Sequence, residues 1–264
     1  MKDEFFIGYA EHNSKPSRRG IKPFLFVAVL FLIIGGVIFS LAQNPFADST
    51  FELTKSTHLA GTYYENPYPM IRVKDSTGKS KSILLLGFGK FGANKYFDEI
   101  KEEHPRFGTG VGSSIEISGN LIYYNDQTLI QLTSKNSILV PDKDFPEVPE
   151  TVDLGIKVVT GEIVDPKCYF GVMKPGYGKI HRSCAARCIS GGIPGVLVSN
   201  DSKGKETYYI ITDEDGQPLH EGLIDYIGQP AEMKGFVTQK GNWNYIKINP
   251  KDISVLNLPS DIFE

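Results

Sequence analysis

Two stretches of this chain repeat one another, and that repetition limits the fold more than any other feature. Gly112 to Val140 lies over Gly228 to Leu256 without a gap, at an offset of 116 residues. Gly112/Gly228, Glu116/Glu232, Gly119/Gly235, Ile130/Ile246 and Lys135/Lys251 coincide. The apolar positions Ile117/Met233, Leu121/Val237 and Leu132/Ile248 match as well. Each copy reads as a strand around a central glycine, a tight turn at Asn125-Asp126 or Gly241-Asn242, and a returning strand. Apolar and polar residues alternate through Thr128–Leu132 and Asn244–Ile248, as on a half-buried strand. A glycine inside a strand marks a bulge or a sharp bend, as at a barrel corner.

Upstream, each copy opens on a strand that begins at a glycine, Gly61 to Glu65 and Gly161 to Asp165, followed by a strongly β-prone run, Ser82 to Gly87 and Thr207 to Thr212. About five short strands, twice over, predict an all-β fold with minor helix: two tandem OB-like β-barrels. A β-sandwich satisfies the same periodicity. A helix is expected over Asn94–Glu103 and a shorter one over Glu221–Ile227. The first barrel is placed at 45–140 and the second at 151–258. The proline-rich, acidic stretch 141–150 reads as an extended, solvated linker between them.

Ahead of the barrels, Phe24 to Leu41 carries no charge, and its only polar residue is Ser40. Such a run, near the ~20 residues a helix needs to span a bilayer, predicts a single transmembrane anchor over 23–42. Lys15, Arg18, Arg19 and Lys22 precede it and the first charge after it is Asp48. The positive-inside rule therefore puts 1–22 in the cytoplasm as a tail and the main body on the periplasmic or extracellular side. Ser40-Leu41-Ala42 also fits a signal-peptide cleavage site, so a cleaved leader is the competing reading. The net charge of −3 gives no footprint for nucleic-acid binding.

All three cysteines lie between Asp165 and Pro194, in the spacing Cys168-x12-His181-x2-Cys184-x3-Cys188. Twenty-five residues separate Gly61 from Leu86 and fifty separate Gly161 from Ile211, so this stretch is an insertion, 165–194, into the second barrel only. Thiolates with an imidazole suit zinc or copper. If Ser183–Ile189 is helical, Cys184 and Cys188 share one face and His181 joins them three residues earlier. Cys168 then closes a Cys3His site from the end of the preceding strand. Met173 is a possible additional ligand, and Asp165 a weaker one through a hydrogen bond to His181. The other readings are a plain disulfide from Cys168 to Cys184 or Cys188, and a redox-active pair Cys184/Cys188 with Arg182 and Arg187 nearby.

The Cys-x3-Cys spacing with a nearby His and Met resembles copper-handling motifs of binuclear copper domains and copper chaperones outside the cytoplasm, although here the histidine precedes the cysteines. Asp165-x2-Cys168-x4-Met173, His181-x2-Cys184-Ala185-x2-Cys188 and Gly192-Ile193-Pro194 together resemble the signature of a family of uncharacterised bacterial exported or membrane-anchored proteins with an OB-fold-like barrel. That resemblance covers about 158–256 and implies a fold and a setting, without an activity. Asn66 to Met70 and Gly87 to Gly92 are similar to recurrent motifs of the same proteins. Gly87-x-Gly-x-x-Gly92 also mimics a dinucleotide fingerprint, but it lacks the βαβ context and reads as a turn.

No G-x-S-x-G, P-loop, H-E-x-x-H or C-x-x-C-H pattern is present. The expectation is a membrane-anchored accessory protein rather than an enzyme, with a metal or redox site, serving a membrane-protein partner such as an oxidoreductase assembly. A thiol oxidoreductase and an interaction module with a simple disulfide are the alternatives.

Overall fold

The computed structural model describes residues 15–42, 49–65, 67–75, 77–105, 107–108, 112–141 and 148–256. Residues 1–14 of the expected tail, 45–48 at the start of the first barrel, Asn66, linker residues 142–147 and 257–258 at the end of the second barrel lie outside them. The chain forms two compact units, Met1–Ala47 and Asp48–Glu264.

In the first unit, α1 (Lys15–Ala42) is one helix with Pro23 inside it. From Arg19 to Ala42 it is long and apolar enough to cross a membrane, a description that a signal sequence near the N-terminus also meets.

The second unit contains two closed five-stranded barrels. Short β1 (Thr50–Phe51) leads into β2 (Thr57–Glu65), β3 (Pro69–Lys74), β4 (Ser80–Leu86), α2 (Asn94–Glu103), β5 (Ser113–Tyr124), β6 (Gln127–Leu132) and β7 (Ile138–Leu139). Strands β2, β3 and β4 form an antiparallel meander, β4 runs parallel to β6, and β5 closes the barrel by pairing with both β6 and β2. The second barrel uses β8 (Thr151–Val164), β9 (Val196–Asn200), β10 (Glu206–Thr212), β11 (Pro230–Lys240) and β12 (Trp243–Lys247), with α3 (Arg182–Ser190) between β8 and β9 and β13 (Ile253–Val255) at the edge of β11. Its order is the same: β8, β9 and β10 in a meander, β10 parallel to β12, and β11 closing onto β12 and β8. This is the strand order of an OB-fold. Where β4 leads to α2, β10 leads to a single 3-10 turn at Glu221–Tyr226.

Gly119 sits where β5 passes from one partner to the next, paired with Thr57 on one side and Leu132 on the other. A Cβ there would lie 2.4 Å from the Gln131 carbonyl oxygen, and one at Gly235 would lie 2.4 Å from that of Lys247. These glycines allow the backbones to approach at the barrel corner. The turn between β5 and β6 has positive φ at both Asn125 and Asp126, the geometry of a type I′ hairpin.

Among the described residues, three apolar clusters hold the unit together. One fills the first barrel, with Tyr63, Ile83, Leu85, Phe97 and Ile130, and one fills the second, with Ile163, Ile211, Met233 and Ile246. The third takes residues from both: Tyr64, Leu84, Leu86 and Leu129 of the first barrel with Phe170, Tyr208, Ile210 and Trp243 of the second. The barrels are therefore packed wall to wall, not strung on a linker. This explains why Ile83–Leu86 and Tyr208–Ile211 are continuous apolar runs: each strand buries one face inside its barrel and the other against its neighbour.

His220 precedes the 3-10 turn and packs edge-on against Tyr68 at 5.7 Å between ring centroids. Its Nδ1 is buried without a partner, and burial holds its pKa below the usual histidine value. The unfolded chain then binds a proton that the folded chain refuses, so stability is full above about pH 6.5 and falls as pH drops below it. His220→Gln is expected to flatten that slope in urea denaturation between pH 7 and 5; an unchanged slope would refute the assignment.

Candidate metal centre

The segment from Asp165 to Gly195 joins β8 to β9 in the second barrel, where the first barrel has only a short connection from Glu65 to Pro69. Asp165 starts it. Its Oδ1 accepts from the Lys167 backbone N–H at 2.9 Å and its carbonyl from Tyr169 N–H at 2.9 Å. The chain then makes one wide turn over Cys168–Val172, closed by Met173 N–H donating to the Cys168 carbonyl, five residues back. Such turns recur at functional sites. Cys168 stands at its start and is buried.

The chain returns at His181, whose carbonyl accepts from Cys184 N–H and Ala185 N–H, both at 3.0 Å, and begins α3. Cys184 and Cys188 lie one turn apart; Cys188 is buried and Cys184 half-buried. The helix ends at Gly191 and Gly192, the latter with φ +94, while Gly192 N–H and Ile193 N–H close back onto Ile189 and Cys188 carbonyls. That is the glycine-terminated C-cap expected from Gly191-Gly192-Ile193.

These turns bring the three sulfurs within 4.8 Å of one another, and none is joined in a disulfide. A second set, one oxygen of Asp165, Cys168 Sγ and one nitrogen of His181, is equally compact, and Cys168 belongs to both. His181, the residue that caps α3, falls with Asp165 and Cys168 and not with all three sulfurs. Met173 is 43% exposed.

The first barrel supplies the other side of the site. Its loop from Gly87 to Gly92, closed by Gly87 N–H donating to Phe91 O at 3.0 Å, reaches the end of α3, where Gly92 N–H donates to Gly191 O at 3.0 Å. Lys90 Nζ donates to Cys184 Sγ at 3.2 Å. Lys167 answers from the second barrel, donating to Gly87 O at 2.9 Å and Gly89 O at 2.6 Å. The glycine-rich loop thus binds one barrel to the other. Neither lysine stands out in the linear pattern; the one signal is the run of three glycines around Lys90, which by sequence alone reads as a simple turn.

The electrostatics follow. A hydrogen bond with Cys188, burial, and the charge of Asp165 with a hydrogen bond to it all raise the Cys168 thiol pKa far above the ordinary value. Lys90 is held above its ordinary value, chiefly by its bond to Cys184. Burial, with help from Lys90, lowers the pKa of His181 against the pull of Asp165, which leaves a neutral imidazole at neutral pH. Burial brings Lys167 down to about 8, with Asp165, Cys188 and Cys168 opposing. The sulfurs, the neutral imidazole and the Asp165 carboxyl form two adjoining groups, sharing Cys168, that could hold a metal ion.

The contact between the loops has no slack: a Cβ at Gly191 would lie 2.0 Å from Lys90 O. Gly191→Ala is expected to cost about 1–3 kcal/mol by forcing the two backbones apart. For a unit of this size that lowers Tm by about 2–4 °C per kcal/mol. An unchanged Tm would rule out the contact.

No protein-family model matches the chain, and no curated protein matches it.

Proposed function

We propose that this chain is a membrane-anchored, extracytoplasmic accessory protein of the bacterial signature family it resembles, binding a soft metal ion at Cys168, Cys184 and Cys188. Zinc or copper fits the donors. The observation that carries this reading is the convergence of three unpaired thiols, from two separate turns, within 4.8 Å. The half-buried Cys184 leaves one side of the three-sulfur set open, as in sites that exchange a ligand or hand on their metal. The apolar helix, with cationic residues before it and none directly after, supports a cytoplasmic N-terminus and barrels across the membrane, where a membrane oxidoreductase assembly would be the partner. Elemental analysis of the full chain, purified in detergent without chelator, is expected to find stoichiometric metal. Its absence, together with a mapped disulfide, would overturn the reading.

A second reading has its own support. Lys90 donates to the Sγ of the half-buried Cys184, and Cys188 lies within reach to resolve a mixed disulfide formed at that sulfur. A thiol–disulfide oxidoreductase would equilibrate Cys184/Cys188 with a defined glutathione buffer; a pair indifferent to the buffer's poise excludes it.

A further inference from the structure

Three sulfurs around one ion leave Asp165 and His181 unexplained. Both are buried, 0% and 4% exposed; among the described residues His181 Nε2 has no hydrogen-bond partner, and Asp165 Oδ2 has none either apart from the carboxyl's contact with the Cys168 thiol, whose proton is lost once that sulfur binds a metal. A buried polar atom left unpaired costs about 1–3 kcal/mol. The obvious neighbour does not satisfy the carboxylate: the Lys167 backbone N–H takes Oδ1, while the Lys167 amine is turned onto Gly87 O and Gly89 O. The local turn therefore fixes the carboxylate through Oδ1, with one of its oxygens within 4.8 Å of Cys168 Sγ and of a His181 ring nitrogen.

The distances define a second place for an ion. An oxygen of Asp165, a nitrogen of His181 and Cys168 Sγ all lie within 4.8 Å of one another. Ligands around a tetrahedral ion at 2.0–2.3 Å stand roughly 3.3–3.8 Å apart, so such a triad closes with small movements. Neither Asp165 nor His181 belongs to the three-sulfur set. An ion placed among the sulfurs therefore engages neither residue, whereas a second ion would take a ligand atom from each. The only donor the sets share is Cys168, and a thiolate sulfur has lone pairs enough to bridge two cations.

We propose that the centre is binuclear: two divalent ions bridged by Cys168 Sγ, one completed by Cys184 and Cys188, the other by Asp165 and His181. The proposal rests on the three-thiolate reading and adds to it a second ion with a harder, oxygen- and nitrogen-bearing ligand set. The two positions differ in softness, so they fill in order, the sulfur position first. Loss of Asp165 or His181 removes the second ion and spares the first.

The test is anaerobic equilibrium dialysis of the full chain in detergent, stripped of metal, against Zn2+ and separately against Co2+. Two ions per chain are expected for the wild type and one for Asp165→Asn and for His181→Gln. The intense thiolate-to-Co2+ absorption is expected to be retained at the first equivalent in both variants. Cys168→Ser is expected to weaken both ions, and Cys184→Ser the first. One ion per wild-type chain, or two in both the Asp165 and His181 variants, overturns the second position while leaving the three-thiolate reading in place. No bound ion at all removes that reading as well. Should Asp165→Asn not fold, His181→Gln decides alone.

Discussion

Trp243→Ala is expected to lower the stability of the two-barrel unit by about 3–5 kcal/mol, the usual range for emptying a buried tryptophan site. With about 2–4 °C of Tm per kcal/mol at this size, the shift is on the order of 10 °C. The indole is fully buried in the cluster shared by the barrels, and its Nε1–H crosses to the first barrel, donating to Ser82 O at 3.0 Å. The adjacent turn makes the same crossing. Asn242 Oδ1 accepts from Ser82 N–H at 2.8 Å, and its amide donates to Gln127 Oε1 at 3.2 Å. Truncation thus removes apolar volume and one inter-barrel hydrogen bond together. Trp243→Phe keeps one aromatic ring but loses the donor and part of the indole's volume, so it is expected to cost less than Trp243→Ala and still about 1–3 kcal/mol. Looser barrels also withdraw Lys90 from Cys184, so metal affinity is expected to fall about 10-fold or more with every ligand intact, as when an outer-shell partner is lost. A Tm within about 2 °C of wild type would refute the shared core.

Elements set by local pattern are legible in the amino-acid sequence. The strand, turn and strand at Gly112–Leu132 and Gly228–Ile248, the helix at Asn94–Glu103 and the helical face carrying Cys184 and Cys188 all depend on neighbours a few residues apart. The corner at Gly119 is readable because no other residue tolerates that backbone approach. The packing of barrel on barrel is not readable. Its one trace is the pair of continuous apolar runs at Ile83–Leu86 and Tyr208–Ile211, which look like strong strands whichever surface their second face meets. Lys90 comes to Cys184 from 94 residues away, through two loops whose contact is backbone on backbone and has no side-chain signature. The grouping of His181 with Asp165 and Cys168 is not readable either, because it depends on the turn over Cys168–Val172 that brings the end of β8 back to the start of α3.

Cys184→Ser is expected to lower metal affinity about 100-fold while leaving the fold in place. A four-ligand structural zinc site binds with roughly 10–16 kcal/mol, about 3 kcal/mol per ligand, or about two decades in Kd. The fold is spared because Cys184 is half-buried with its sulfur turned to Lys90, so a serine hydroxyl there keeps a hydrogen-bonding partner. Cys188 is the contrasting case: it is 2% exposed and packs in the shared core, where a hydroxyl without a partner costs about 1–3 kcal/mol in addition to the lost ligand. Cys188→Ser is therefore expected to lose both metal and stability, and Cys184→Ser metal alone. Measured with a competing chelator and by thermal denaturation of the metal-free chain, the pair separates ligation from packing. Unaltered affinity in Cys184→Ser would exclude the three-thiolate centre. Equal loss of stability in both metal-free variants would show that Cys184 acts through the barrel contact with Lys90.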